Sequence, residues 1–561
     1  MPNFNPRGWI LSSTLRPALR RIPLRAARRL PPLLPPLCCL LLAVAVSSTV
    51  LAQQAPRVVS QDGRYALMVD GAPFLILGGQ INNSSSWPAT LPEVWPLFAS
   101  MHANTVEAPV YWEQMEPQPG SFDFSTVDLL LSQAREHRLR LVLLWFGTWK
   151  NGEMHYAPQW IKTDPAKYPR MIDERGRPIQ VLSANSDVNL EADKRAFAAL
   201  ARHLAAADGA QHTVILIQVE NESGAIGAVR DHSPAAEKQF EGPAPPALLA
   251  ALHKPAGTWR QAFGPDADQD FQAWSVARYI NEVAKAGKAA FNIPMYCNVW
   301  VEYPRGYQIR GDALPGFDYP SGGPMQSNIA IWKATATSID VLAPDIYSAD
   351  RQFEKDLMRT YRRPDNALLI PETGLGDSFA PELFYALGMG AIGFAPFGAD
   401  QTGWTLKPGQ LPEAHAENYA LLEPIDRVVA RLNFEGKVKT AVEEEGKPEQ
   451  TLDFGKWTAL VGFGFPQPDG GAHAPGTPKN IGRALVAQIG PDDFLVTGIQ
   501  ARVTFSLAPD RPGRPQILAA EQGNYVAGVW KPMRILNGDQ TDRGLNFHND
   551  PQYVQLHLGI Y

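Results

Sequence analysis

Cysteine is almost missing from this chain: three in 561 residues, at positions 38, 39 and 297. Two of them sit in an N-terminal stretch that reads as a removable leader, so Cys297 is left alone. A single thiol cannot close an intramolecular disulfide, and a cysteine-based metal site is excluded. The 11 His show no metal-ligand spacing. No glycine-rich phosphate loop follows a strand pattern, and no Ser nucleophile elbow occurs. Internal repeats and long low-complexity segments are also missing. The residues present call for neither a cofactor nor a metal.

Acidic residues are missing from residues 1–52, which carry seven Arg. The Arg cluster ends at Arg29, an apolar stretch runs from Leu37 to Val46, and Val50-Leu51-Ala52 precedes Gln53. This is the order of a secretory signal: basic region, apolar region, small-residue cleavage site. Leu19-Arg20-Arg21-Ile22-Pro23-Leu24-Arg25 is a loose twin-arginine candidate. Pro35, Pro36 and the shortness of the apolar run speak against a membrane span. The expectation is cleavage near Gln53 and a periplasmic or secreted protein. Losing seven positive charges moves the formal net charge from −6 to about −13. An acidic surface argues against nucleic acid and anionic membrane as partners. The remaining chain, 45% hydrophobic by overall composition, is too long for one compact domain and implies two.

What is there is an alternation. Short apolar runs read as buried strands at Phe74–Gly79, Asn104–Val110, Leu139–Phe146, Thr213–Glu222, Pro294–Trp300, Val341–Tyr347, Ala367–Glu372 and Gly388–Phe394. Stretches of helical periodicity separate them, ending with a helix over Ala416–Leu432. Eight such units predict an α/β fold, a (β/α)8 TIM barrel over 53–435. Beyond about Gly436 helical periodicity stops. Short runs between Gly, Pro and Asp predict a small C-terminal β-sandwich domain over 436–561.

The fourth strand ends on Gln218-Val219-Glu220-Asn221-Glu222, and the seventh on Pro371-Glu372-Thr373. Catalytic groups of barrel enzymes sit at the C-terminal strand ends. Two glutamates facing one another there are what cleavage of a glycosidic bond with retention requires. Asn221 is placed to bond a sugar 2-hydroxyl. Glu220 reads either as a carboxylate supporting Glu222 or as a buried ion-pair partner. Asp345 reads as a pocket support or a structural acceptor. Trp149 and Trp300, just past strands, either stack on a sugar or pack the core, and Trp404 after strand eight is a rim candidate.

Asn104-Thr105-Val106-Glu107 through Tyr111-Trp112-Glu113, then Glu116-Pro117-Gln118-Pro119-Gly120-Ser121-Phe122-Asp123-Phe124, resembles the second-strand signature of glycoside hydrolase family 35, the β-galactosidases. Gln218 to Glu222 is similar to that family's acid/base motif. The resemblance covers about residues 70–400. It implies Glu222 as acid/base, Glu372 as nucleophile, and Asn151, Glu153, Tyr111 and Tyr347 as sugar-binding residues. The chain departs from the family at Gly79-Gln80-Ile81-Asn82-Asn83, at Leu144-Trp145-Phe146-Gly147-Thr148-Trp149 and at Met115-Glu116-Pro117. It looks like a divergent bacterial branch associated with trimming galactose from xyloglucan. A Pro/Ala/Gly-rich insertion, Ala225–Asp268, projects from the catalytic face and would wall in a single terminal galactose. The alternatives are another β-glycosidase of the same clan, a β-mannosidase or endo-β-glucanase, or a carbohydrate-binding protein without activity.

Overall fold

The computed structural model describes residues 54–303, 313–348, 350–400, 410–463, 482–526, 528–548 and 550–561. The leader-type stretch 1–52 and Trp404 lie outside them.

The barrel strands are β1 (Ile76–Gln80), β2 (Thr105–Tyr111), β3 (Arg140–Lys150), β4 (Val214–Asn221), β5 (Met295–Trp300), β6 (Val341–Ile346), β7 (Glu372–Thr373) and β8 (Gly393–Phe394). They lie side by side in one eight-stranded parallel sheet, with β8 against β1. A parallel bridge between Ile370 and Phe394 closes the remaining gap between the seventh and eighth strands. β3 runs four residues past its expected end at Phe146, and this carries Lys150 to the mouth.

Two apolar layers hold the barrel. Alternate strand residues, among them Val142, Leu144, Ile215, Tyr296 and Leu369, fill its interior together with Leu67, Val69 and Phe74. The last three come from an N-terminal three-stranded sheet over 57–74 that stoppers the barrel. The opposite faces of the strands pack against helices, among them α1 (Leu91–Ser100), α2 (Ser125–Glu136), α3 (Asp187–Asp208) and α4 (Ala267–Ala290). Ser186 caps α3 by accepting from Asn189 N, and a buried stripe at helical spacing, including Ala196, Phe197, Leu200 and Leu204, faces the strands. The helices α3 and α4 touch closely at Gly287, where a Cβ would come within 2.3 Å of the Phe197 ring.

One expectation changes in detail. The closing helix is split into Glu413–Leu422 and Asp426–Phe434, because Pro424 in the intervening turn cannot donate an interior hydrogen bond. The insertion, Pro/Ala/Gly-rich in sequence, folds as three short helices, Pro234–Glu241, Pro246–Ala251 and Trp259–Phe263. Its prolines begin helices rather than break them, and Thr258 with Gln261 forms a capping box.

The C-terminal residues form a six-stranded and a four-stranded antiparallel sheet. Trp457, Val461, Val486, Phe494, Val496, Phe547 and Leu556 fill the layer between them. Residues on the outer face of the larger sheet, such as Leu485, Leu495 and Tyr553, join the barrel's helix-side core. Tyr553 donates to Leu421 O at 2.9 Å, and Thr440 donates to Phe384 O at 2.6 Å. This sheet buttresses the barrel.

Candidate active site

The ends of six barrel strands converge on one buried polar cluster. Glu222, Asp345 and Glu372 each place a carboxylate oxygen within 4.8 Å of the others. Oε1 of Glu372 accepts from Gln80 Nε2 at 3.1 Å, Asn221 Nδ2 at 3.2 Å and Asn298 Nδ2 at 3.2 Å. Its Oε2 accepts from the Tyr347 hydroxyl at 2.9 Å. A carboxylate that accepts from four donors is held in a fixed orientation.

Glu222 is held differently. Its backbone N donates to Asn298 Oδ1 at 2.9 Å, and its backbone O accepts from Gly152 N at 3.0 Å. Its φ is +43°, in the left-handed region, a strained position for a residue with a Cβ. Burial first, and the Glu372 charge second, push its carboxyl up to about 7, while Lys150 pulls the other way. Asp345 is also lifted well above the usual carboxylate range, by burial, Glu372 and Glu222 in that order. Oδ2 of Asp345 accepts from Asn298 Nδ2 at 2.9 Å, but Oδ1 is buried with no N–H donor. What faces it is the Glu222 carboxyl. A proton shared between the two acids supplies the missing donor.

Lys150 is the cation of this cluster. It is 5% exposed, and its Nζ donates to Asn221 Oδ1 at 2.7 Å. Because an ammonium only donates, this bond fixes the Asn221 amide with Nδ2 toward Glu372. Three carboxyls at this spacing are also residues that could hold a divalent cation. Lys150 and the amides of Asn221 and Asn298 donate into the same space and provide internal compensation.

Glu220, two residues before Glu222, belongs to another grouping. With φ at +63° its side chain leaves the mouth. Oε2 accepts from Trp149 N at 2.7 Å. Oε1 finds no N–H donor and faces Asp193 of α3. Asp193 accepts from Trp145 Nε1 at 3.0 Å and Thr148 Oγ1 at 2.7 Å. Burial and then the Asp193 charge hold the Glu220 carboxyl well above its ordinary range. Gly147 makes room for the pair, since a Cβ there would lie 2.7 Å from Glu220 Oε1. The Glu220 partner is therefore a second acid, not a cation.

The other residues singled out from sequence separate clearly. Asn221 and Tyr347 contact Glu372 directly. Asn151 (φ +54°) donates its backbone N to Asn221 O at 3.2 Å, and its buried Oδ1 is unpaired. Glu153 turns toward His155, 3.1 Å away. Tyr111 accepts from Ser86 N at 3.2 Å and stacks on Tyr156 with ring centroids 5.2 Å apart. Trp149 is corrected to a packing residue: it is 1% exposed and lies edge-on to Tyr279 of α4, on the helix side. Trp300, half-buried, ends β5. Sequence reasoning missed Gln80, Lys150 and Asn298 and undervalued Asp345. Their shared signal was a polar residue in or ending a buried apolar strand.

Residues 83–293 match the Glyco_hydro_42 family model, described as beta-galactosidase. Residues 415–548 match a domain of unknown function, DUF5597. Over 179 residues the chain is 25% identical to beta-galactosidase 11 of Arabidopsis thaliana, a match covering 30% of this chain and 19% of that protein. Among solved structures it is similar to the beta-galactosidase from Bacillus circulans sp. alkalophilus (17% identity, TM-score 0.46, 63% of this chain and 57% of that one). It is also similar to the one from psychrophilic Marinomonas ef1 (14%, 0.47, 64% and 61%). The chain thus spans about a fifth of the curated relative and about three fifths of these structures. By its family match, the barrel segment 83–293 is β-galactosidase-like, of the glycoside hydrolase kind.

Proposed function

We propose that the protein is an exo-acting, retaining β-galactosidase that removes single terminal β-galactose units, with xyloglucan side chains as the polymer substrate. The observation that carries this reading is the pair Glu222 and Glu372. Their oxygens lie within 4.8 Å of each other, close to the roughly 5 Å that retaining glycosidases use. One carboxyl is raised to about 7 and the other is surrounded by donors, as an acid and a nucleophile need to be. The resemblance to family 35 assigns the same two roles and supplies the named polymer.

In this reading Glu372 attacks the anomeric carbon while Glu222 gives its proton to the departing glycosidic oxygen. A covalent galactosyl ester on Glu372 results. Glu222, now a carboxylate, takes a proton from water as the water oxygen attacks the anomeric carbon, and Glu372 leaves with the electron pair. Asn221, fixed by Lys150, offers Nδ2 to the sugar 2-hydroxyl. The insertion supports an enclosed pocket: Ile226 N donates to Gly152 O at 3.1 Å, tying it to the turn after β3. The Arg-rich N-terminus supports export, with a mature start near Gln53, which N-terminal sequencing of the processed protein tests.

Hydrolysis of chromogenic β-galactoside, β-glucoside and β-mannoside tests the activity. Preference for the galactoside supports the reading. A preferred glucoside or mannoside moves it to another β-glycosidase, and no turnover of any of the three contradicts it. Digestion of galactosylated xyloglucan oligosaccharides tests the polymer: galactose as the only small product supports exo action, and shortened backbone fragments contradict it.

A further inference from the structure

A second cavity opens beside the catalytic centre and contains neither glutamate. It encloses about 340 Å³ between the segments that follow β1 and β2. These segments leave the C-terminal strand ends, so the cavity lies on the catalytic face. Its walls combine Trp87, Pro109, Tyr111, Gln114, Met115 and Asp123. This volume lies within the range of small-ligand clefts.

Three observations set it apart from an incidental dimple. Trp87 is a large aromatic left 49% exposed, yet its backbone is fixed. Its N donates to Ser85 O at 2.8 Å, its O accepts from Thr90 N at 2.9 Å, and Ser86 N donates to the Tyr111 hydroxyl at 3.2 Å. An indole held open on a rigid turn is a preformed flat face. The second observation is Gln114, whose Oε1 is buried with no donor, an arrangement that costs free energy unless a donor arrives. The third is Asp123, an exposed wall residue whose carboxylate meets only the Ser125 end of the next helix, Oδ1 accepting from Ser125 N at 2.9 Å. An apolar floor, one flat aromatic face and convergent acceptors suit a ring with an apolar face and peripheral hydroxyl donors.

We infer that this cavity is a second carbohydrate subsite, taking a β-linked pyranose ring of the glucose or xylose type. Such a ring carries its hydroxyls around the equator, so its flat C–H face is free to stack on Trp87. Its hydroxyls donate to Gln114 Oε1 and Asp123. The shared wall gives the subsite its place in the reaction. Tyr111 lines the cavity and stacks on Tyr156, and both pack against Phe146. Lys150 Nζ lies 5.2 Å from the Phe146 ring centroid. The subsite is therefore one aromatic layer away from the galactose-cleaving centre, positioned to hold the backbone of a branched chain. It deepens the proposed function and rests on it only for the identity of the cleaved sugar.

The test uses full-length protein carrying Glu372→Gln, which binds without turnover, and cellotetraose, a galactose-free β-1,4-glucan, as the calorimetric probe. Saturable binding is expected, at least tenfold weaker once Trp87→Ala is added and about threefold to tenfold weaker with Gln114→Met. Thermal unfolding of each variant confirms the fold. Absence of cellotetraose binding, or binding indifferent to Trp87→Ala, overturns the subsite. Chromogenic β-galactoside turnover by the wild-type protein is read separately. If that fails while Trp87-dependent binding remains, the galactosidase reading falls and the subsite stands. The converse result removes the subsite alone.

Discussion

Glu220 and Glu222 are two residues apart at the end of β4, both buried, and do opposite things. On a regular strand they would share a face. The left-handed φ values, +63° and +43°, break that alternation and send one side chain to α3 and the other to the mouth. Each then meets another carboxyl, Asp193 for Glu220 and Asp345 for Glu222. The difference lies in the rest of the surroundings. The Glu220 pair is surrounded by donors from Trp149 N, Trp145 and Thr148. The Glu222 pair faces a third acid, Glu372, and a cation, Lys150. A third acid pair, Glu354 with Glu382, also meets a cation, Arg351 at 2.9 Å from Glu354, while Glu382 Oε2 accepts from Thr373 Oγ1 at 2.8 Å. A raised pKa alone does not mark a reactive group; the partner set does.

The same substitution at the two positions breaks this comparison most sharply. Glu222→Gln should lower turnover of an unactivated galactoside by about 10³-fold or more, and Glu372→Gln by at least as much. Glu220→Gln should stay within a few fold, because glutamine reproduces a protonated acid: its oxygen accepts from Trp149 N and its amide donates to Asp193. Comparable losses at 220 and 222 would erase the distinction. Azide separates the two catalytic roles. It should give the inverted glycosyl azide with Glu372→Gly and the retained one with Glu222→Ala.

Lys150→Met sharpens the electrostatic side. Glu222 must be protonated to act as an acid, so the alkaline limb of kcat/KM is expected near pH 7, where its carboxyl is placed. Lys150 lowers that value. Its removal should move the limb to higher pH and reduce kcat/KM by about tenfold to a hundredfold, since Asn221 loses its anchor as well. A limb that stays in place or moves down would show that Lys150 does not act on Glu222.

The smallest effect concerns stability against pH. The folded state holds protons on Glu220 and Asp193 above their ordinary range. Their linkage contribution is therefore complete below the unfolded values near about 4 and is lost as pH rises through the raised ones. Glu220→Gln should flatten the fall in Tm between mildly acidic and alkaline pH, without loss of Tm at the alkaline end. Glu220→Ala, which removes the acid partner of Asp193 and leaves Trp149 N without its acceptor, should cost about 3 kcal/mol. A steeper fall in Tm for Glu220→Gln would refute the shared proton.

Much of this was legible beforehand. Apolar runs alternating with helical periodicity predicted the barrel, and the polar ends of its fourth and seventh strands predicted the residues that meet at the mouth. Lys150 was hidden because the strand was read as ending at Phe146, although it continues through Gly147-Thr148-Trp149-Lys150. Asn298 and Asp345 lie within strands, where one polar residue reads as structural until its neighbours are known. Trp149 looked like a platform because sequence does not give the direction of a side chain at a bulged strand end. In the β-domain the hairpin Pro515–Val526 and Val529–Ile535 was missed because most of it is exposed, so burial imposes no alternation on it.

The central claim is that Glu372 is the nucleophile of a retaining galactosidase. Incubation with an activated 2-deoxy-2-fluoro-β-galactoside, followed by proteolysis and peptide mass spectrometry, tests it most directly. One fluorogalactosyl ester on Glu372, formed as activity is lost, is the predicted result. A label on Glu220, Glu222 or Asp345, or galactosidase activity with no covalent label at all, would contradict it.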